Sequence, residues 1–314
     1  MSYKPSYLFT YYDQELTEQA GVNDDIWVVD SDATYMVERF ISAHPDRLVE
    51  VGIAEQNMIG VAAGIASTGK VVFANTMANF LTMRALEQIK VDVVYNEFNV
   101  KLVGGFAGVM GGVFGPTHQG LEDISVCRSL PHMKVLVPSD EYEVKEAVRA
   151  ATREKSPFYI RLEREEAFER TNHEFEVGKA SVFREGRDVT LIACGSMLGF
   201  SLRAADILRK KGIDAGVLDM CTIQPIDTEL ILKAGVSTGA IVTLEEHQIT
   251  GGLGTAVAEV IAERAPTRIR MKRIGFENTI IDTIGDPTEI LKAYKLMPED
   301  IASATEAFLR TNRN

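Results

Sequence analysis

Short runs of β-branched and aliphatic residues alternate along this chain with stretches of helical periodicity, and that alternation constrains the fold more than any single motif does. A helical pattern over Leu8 to Ala20 breaks at Gly21-Val22-Asn23-Asp24-Asp25 and gives way to the strand-like Ile26-Trp27-Val28-Val29. A helix from Tyr35 to Ala43 then leads to a strand at Leu48 to Val51. The pattern repeats through Lys70 to Ala74, Val100 to Val103, Lys134 to Val137 and Phe158 to Leu162. Strands joined by helices across short connections predict a mostly parallel sheet covered on both faces. The rhythm lapses in the charge-dense stretch Glu163 to Asp188. It restarts with Val189 to Ala193, Ala215 to Asp219 and Ile241 to Leu244, and Arg268 to Ile274 alternates like an edge strand. The expected fold class is α/β, with two doubly wound domains at 1–170 and 189–314 and a linker at 171–188.

A length of 314 residues, 46% of them hydrophobic, is enough for two separate cores. The net charge of −12 argues against general binding to nucleic acid or to an anionic membrane, because both repel it at long range. Cys127, Cys194 and Cys221 have neither CxxC spacing nor a histidine framework, so no disulfide scaffold or zinc site is expected and reduced thiols fit best. The opening MSYKPSYLFTYYDQE has no continuous apolar core, and no run approaches the roughly 18 apolar residues of a membrane span. A soluble, cytoplasmic protein is expected.

Open α/β sheets place their ligands beyond the carboxyl ends of the strands, and several polar residues fall there. In LVEVGIAEQNMIGVAAGIAST, Leu48 to Thr68, the single acid Glu55 opens an otherwise small and aliphatic helix. Such an acid either caps the helix or does proton chemistry in a dry place. Asp30-Ser31-Asp32 ends the strand at Ile26. The strand at Val100 opens into GGFAGVMGGVFGPTHQG, whose six glycines between Gly104 and Gly115 imply close main-chain approach or positive φ, and which ends near His118. Arg161 and Arg164 end a separate strand, as an anion anchor or as solvated charges. Gly252-Leu253-Gly254 lacks the third glycine of a dinucleotide fingerprint, and Cys194-Gly195-Ser196 lacks the nucleophile elbow, so both read as structural turns. His118 and Glu122 alone define no metal site. Glu245, Glu246 and His247 read as interface or solvent residues.

Taken together, VGIAEQN, NFLTMRALEQ, GPTHQGLEDISVCRSLP and VLVPSD resemble the pyrimidine-binding domain of transketolases and deoxyxylulose-phosphate synthases. DMCTIQPID and VTLEEHQITGGLGTAVAE resemble the C-terminal domain of the same thiamine-diphosphate enzymes. These enzymes hold the cofactor diphosphate and a Mg2+ or Ca2+ ion through a GDG motif in a further N-terminal domain, and no GDG occurs here. The resemblance therefore implies the second subunit of a split transketolase, inactive alone and working as a hetero-oligomer, α2β2, with a partner that carries the GDG motif and holds the metal. The implied reaction moves a two-carbon ketol unit from a phosphorylated or otherwise anionic ketose to an aldehyde.

The resemblance implies that Glu55 hydrogen-bonds the aminopyrimidine nitrogen and promotes loss of the thiazolium proton. It places Phe80 against the pyrimidine ring, in a helix one residue longer than in deoxyxylulose-phosphate synthases, and Asp32 facing the cofactor. It puts His118 near the substrate carbonyl and hydroxyl oxygens, and Arg164, with Arg161, on the substrate phosphate. Phe114 stands where ordinary transketolases carry an aspartate that reads an acceptor hydroxyl, and no arginine occurs near Phe9 to Tyr12, so the usual pentose-phosphate set is not expected. The rival readings are the β subunit of a 2-oxoacid dehydrogenase, a deoxyxylulose-phosphate-synthase-like carboligase, and a non-catalytic regulatory paralogue.

Overall fold

The computed structural model describes residues 7–170 and 174–311, so residues 1–6 and 312–314 at the outer ends of the two expected domains, and 171–173 of the expected linker, lie outside the described residues. The chain forms two α/β domains, each built on its own sheet, as its strand and helix alternation predicts. The first sheet contains β1 (Ile26–Asp30), β2 (Leu48–Glu50), β3 (Val71–Met77), β4 (Val100–Gly105), β5 (Lys134–Leu136) and β6 (Phe158–Arg161). The second contains β7 (Ser181–Arg184), β8 (Val189–Ala193), β9 (Ala215–Asp219), β11 (Ala240–Gln248) and β12 (Arg270–Phe276). β10 (Thr222–Gln224) crosses to the first sheet and pairs antiparallel with β5, giving the order β10-β5-β6-β4-β3-β1-β2. The other pairs of the first sheet are parallel.

Two local outcomes differ from the sequence reading. The charge-rich linker stretch holds β7, which pairs antiparallel with β9, so its last residues belong to the second sheet. The helix expected from Phe80 is not a regular α-helix: Phe80–Arg84 and Ile89–Val94 form wide π turns around a short α segment, Leu86–Gln88. A π turn accommodates an additional residue without rotating the rest of the helix, and such turns cluster at functional sites.

The helix Glu55–Ala66 turns Met58, Ile59, Ala62, Ala63 and Ala66 into the core beneath the first sheet. Full burial of Met58 and Ile59 stabilises this arrangement by roughly 1.5–3 kcal/mol each and fixes the end of the helix that carries Glu55. The order in which strands are added to the sheet reverses between β1 and β3, where a crevice is expected at the carboxyl ends. Among the described residues no helix is long and apolar enough to cross a membrane.

Candidate active site

Four of the singled-out residues come together beyond the carboxyl ends of β2, β3 and β4. Glu55 is 2% exposed, and its Oε2 lies 2.6 Å from Nη1 of Arg84. The Arg84 guanidinium also lies over the Phe80 ring, 4.6 Å from its centroid, so one planar cation touches both the carboxylate and the aromatic face. Phe80 meets His118 edge to face at 5.0 Å between centroids, and Phe114 lies 5.4 Å from the same imidazole. The approach of Phe80 to His118 is fixed by Asn79, whose Nδ2 donates to the Thr117 carbonyl at 2.7 Å. His118 itself shares Nδ1 with the Thr117 hydroxyl at 3.0 Å. Beyond Phe114 an aromatic wall continues through Phe106 to Phe9, Tyr7 and Tyr35.

Asp32 stands in the next loop, exposed and at φ +54°. Its position is coupled to that of Glu55 through two side chains. Glu50 Oε1 accepts from the Asp32 and Gly52 amides at 3.2 and 2.6 Å. Ser31 Oγ donates to the Gly52 carbonyl at 2.7 Å and accepts from the Ala54 amide at 3.2 Å. The loops after β1 and β2 are thereby clasped together directly ahead of Glu55. Asp30, wholly buried at the end of β1, accepts from the Ala33 amide, and burial followed by the neighbouring Glu50 carboxylate pushes its carboxyl up to about 8.

The two arginines do not join this cluster. Arg161, expected with Arg164 to receive the substrate phosphate, is corrected to an internal strut, because it is 0% exposed and its N–H groups are already engaged. Nε meets Asp123 Oδ2 at 2.7 Å, Nη1 meets Glu163, and Nη2 donates to the carbonyls of Gly120 and Glu246 at 3.1 and 2.9 Å. Arg164 is 6% exposed and faces the Glu246 carboxylate, with Nη2 2.6 Å from Oε2. Glu246 is itself buried; burial alone would raise its carboxyl, but Arg164 holds it below the usual range. The Gly252-Leu253-Gly254 turn is filled from inside the protein, since Glu245 accepts from the Leu253 and Gly254 amides at 2.7 and 2.9 Å. Burial raises that carboxyl to about 7 against these two bonds.

Sequence reasoning did not single out Arg84, and its reading of Glu245, Glu246 and His247 as interface or solvent residues is corrected, since all three are buried. A signal for Arg84 was present, since it lies one turn beyond Phe80; Glu246 had none, because its partners are remote in sequence.

Residues 8–168 match the transketolase pyrimidine-binding domain, and residues 178–301 match the transketolase C-terminal domain. The chain belongs to the transketolase family. It is 41% identical over 270 residues to a 6-deoxy-6-sulfo-D-fructose transketolase subunit from Clostridium sp., covering 85% of this chain and 83% of that protein. It is 39% identical over 300 residues to one subunit of the apulose-4-phosphate transketolase of Phocaeicola vulgatus, covering 94% and 95%. A solved split-gene transketolase, described as an inactive β4 tetramer, superposes with a TM-score of 0.88 at 38% identity over 99% of this chain and 100% of that one. The family thus accounts for both domains, and their make-up is that of the C-terminal subunit of a split transketolase. Thiamine-diphosphate dependence and ketol transfer follow from that membership.

Proposed function

We propose that this chain supplies the pyrimidine half of a thiamine-diphosphate site and, with an N-terminal partner, transfers a ketol unit from an anionic ketose to an aldehyde. The observation that carries the reading is the buried Glu55 carboxylate facing the Phe80 ring with one planar cation between them. A flat ring bearing N–H donors has the same requirements as that guanidinium: an acceptor at its edge and an aromatic face beneath it. The residues present therefore fit the aminopyrimidine, with Glu55 at its edge nitrogen, Phe80 on its face and Asp32 on the adjoining loop.

When bound, the cofactor supplies the nucleophilic carbon to which the two-carbon unit is passed. Glu55 holds a proton at the ring edge in a site from which water is largely excluded, where such an interaction is stronger than in solvent. His118, half-buried beside Phe80, donates to the substrate oxygen nearest the reacting carbon. Arg84 is exposed at this site, and once the ring displaces it from Glu55 it is the cation for the anionic end of the substrate. Arg164 would take that part only by leaving Glu246. Phe114 offers the acceptor a phenyl face in place of a carboxylate. The two subunit relatives act on sulfonated or phosphorylated sugars, which agrees with an anionic substrate here.

The partner in this reading carries the GDG motif and the Mg2+ or Ca2+ ion, in an α2β2 assembly, and of the expected domains at 1–170 and 189–314 the second extends back to take in β7. The test is to mix the purified chain with its partner subunit, thiamine diphosphate and magnesium, and to assay transfer across ketose donors and aldehyde acceptors. Transfer that requires both chains is expected. No transfer with any pair, despite cofactor binding, would remove the reading.

A further inference from the structure

The glycine-rich loop that carries Phe114 and His118 belongs to the first domain, but its anchor comes from the second. Glu246 lies in β11, 1% exposed, and its Oε1 accepts from the Val109 amide at 2.8 Å. Gly108 has φ +65°, and a Cβ there would lie 2.2 Å from the same oxygen, so the loop approaches the carboxylate as closely as a glycine permits. Arg164 Nη1 donates to Oε1 at 3.0 Å, and the Ser196 hydroxyl donates to Oε2 at 3.0 Å. Held by three separate segments, the carboxylate has one orientation.

The loop closes where Glu246 grips it. Gly108 and Gly120 exchange two backbone hydrogen bonds, each 2.9 Å, and His118 is two residues from that closure. Arg161 fastens the same base by donating to the carbonyls of both Gly120 and Glu246. Further along, the Gly285 amide donates to the Gly112 carbonyl at 3.2 Å.

We infer that Glu246 is a positioning residue for His118, holding from the C-terminal domain the loop that presents the imidazole to Phe80 and the substrate. The inference rests on the ketol-transfer reading only in taking His118 to face substrate. Its rival is that Glu246 merely balances the buried charge of Arg164. Glu246→Gln keeps an oxygen that can accept from Val109 but gives up the charge; Glu246→Ala gives up both. Should Glu246→Ala fail to fold, because Arg164 is left unpaired, Arg164→Met with Glu246→Leu removes both charges and still strands the Val109 amide.

The measurements are amide exchange of the 106–120 segment in the folded chain, and steady-state kinetics and thiamine-diphosphate affinity in the complex with the partner subunit. Exchange should quicken about tenfold in Glu246→Ala or the double variant, as expected for loss of one net hydrogen bond, and stay near the parent in Glu246→Gln. In Glu246→Ala kcat and kcat/KM should fall together about tenfold with cofactor affinity unchanged, because the imidazole acts at the oxygen nearest the reacting carbon. Unchanged exchange in a folded variant overturns the inference, as does a parallel loss of kcat and bound cofactor at constant KM. If the parent complex transfers no ketol unit while the exchange difference is found, the functional reading fails and the anchoring by Glu246 stands.

Discussion

At Glu55 a carboxylate 2% exposed is met by one guanidinium, and either member of the pair can be changed without opening the core. Glu55→Gln should keep the fold, since an amide fits the same space. It should lower transfer by the complete enzyme roughly 10²- to 10⁴-fold, the range for removing a positioned proton-handling group. Rates at saturating thiamine diphosphate check this, and full turnover would refute the role. Arg84→Met keeps volume over Phe80 and removes the charge. It should raise KM about tenfold for phosphorylated or sulfonated substrates and leave neutral ones nearly unchanged, as expected for one lost charge-assisted bond. Equal shifts for both kinds of substrate would remove the assignment.

Asp30 gives the residue scale a pH dependence. Its carboxyl is near 8 in the fold, whereas an unfolded aspartate titrates near about 3.9. Between those values the folded state carries the extra proton. The contribution to stability is complete below about pH 4 and is lost as pH rises through about 8, with a slope of up to about 1.4 kcal/mol per pH unit. Asp30→Asn should remove that slope and leave those of the other acids that burial raises, among them Glu245, whose share ends near pH 7; urea midpoints between about pH 5 and 8 would show no change from the parent if the Asp30 carboxyl is ionised throughout. Glu55, Phe80 and His118 were legible because each lies in a distinctive local string that follows a strand. The burial of Arg161 and Arg164 was not, because Asp123 and Glu246 reach them only through the tertiary fold.

At the scale of elements, the glycines separate into those that need to be glycine and those that do not. Gly108→Ala places a Cβ against Glu246 and holds a side chain at φ +65°. The conformation alone costs about 1–2 kcal/mol, and the close contact adds to it. A loss of at least about 2 kcal/mol in chemical unfolding is expected, whereas Gly60→Ala, on an exposed helix face with open space, should be neutral or stabilising. A tolerated Gly108→Ala would mean that the loop does not approach Glu246 as described. Most strands could be read directly because β-branched residues in short runs have few alternatives in a parallel sheet. β7 and β10 could not: they span four and three residues, and both are defined by antiparallel partners distant in sequence. The π turns at Phe80 and Ile89 were equally hidden, since an extra residue disturbs helical periodicity without revealing how the backbone absorbs it.

At the scale of the molecule, the two sheets are joined by buried polar groups as well as by apolar packing. β10 extends the first sheet from within the second half of the chain, and the Val137 amide donates to the Cys221 carbonyl at 2.7 Å beside it. Glu163 accepts from the Ser196 amide at 2.7 Å while paired to Arg161, and Arg161 also donates to the Glu246 carbonyl. One guanidinium thus balances Asp123 and Glu163 in the first domain and reaches main chain in the second. Removing it leaves two buried carboxylates without their cation, a loss of roughly 3–5 kcal/mol. Because this loss falls at the junction, it should also uncouple the domains. Calorimetry should record one cooperative transition for the parent chain, and for Arg161→Met a lower midpoint resolved into two. A single transition at an unchanged midpoint would show that apolar contacts and β10 alone hold the domains together, and that Arg161 contributes nothing to the frame on which Glu246 supports the active-site loop.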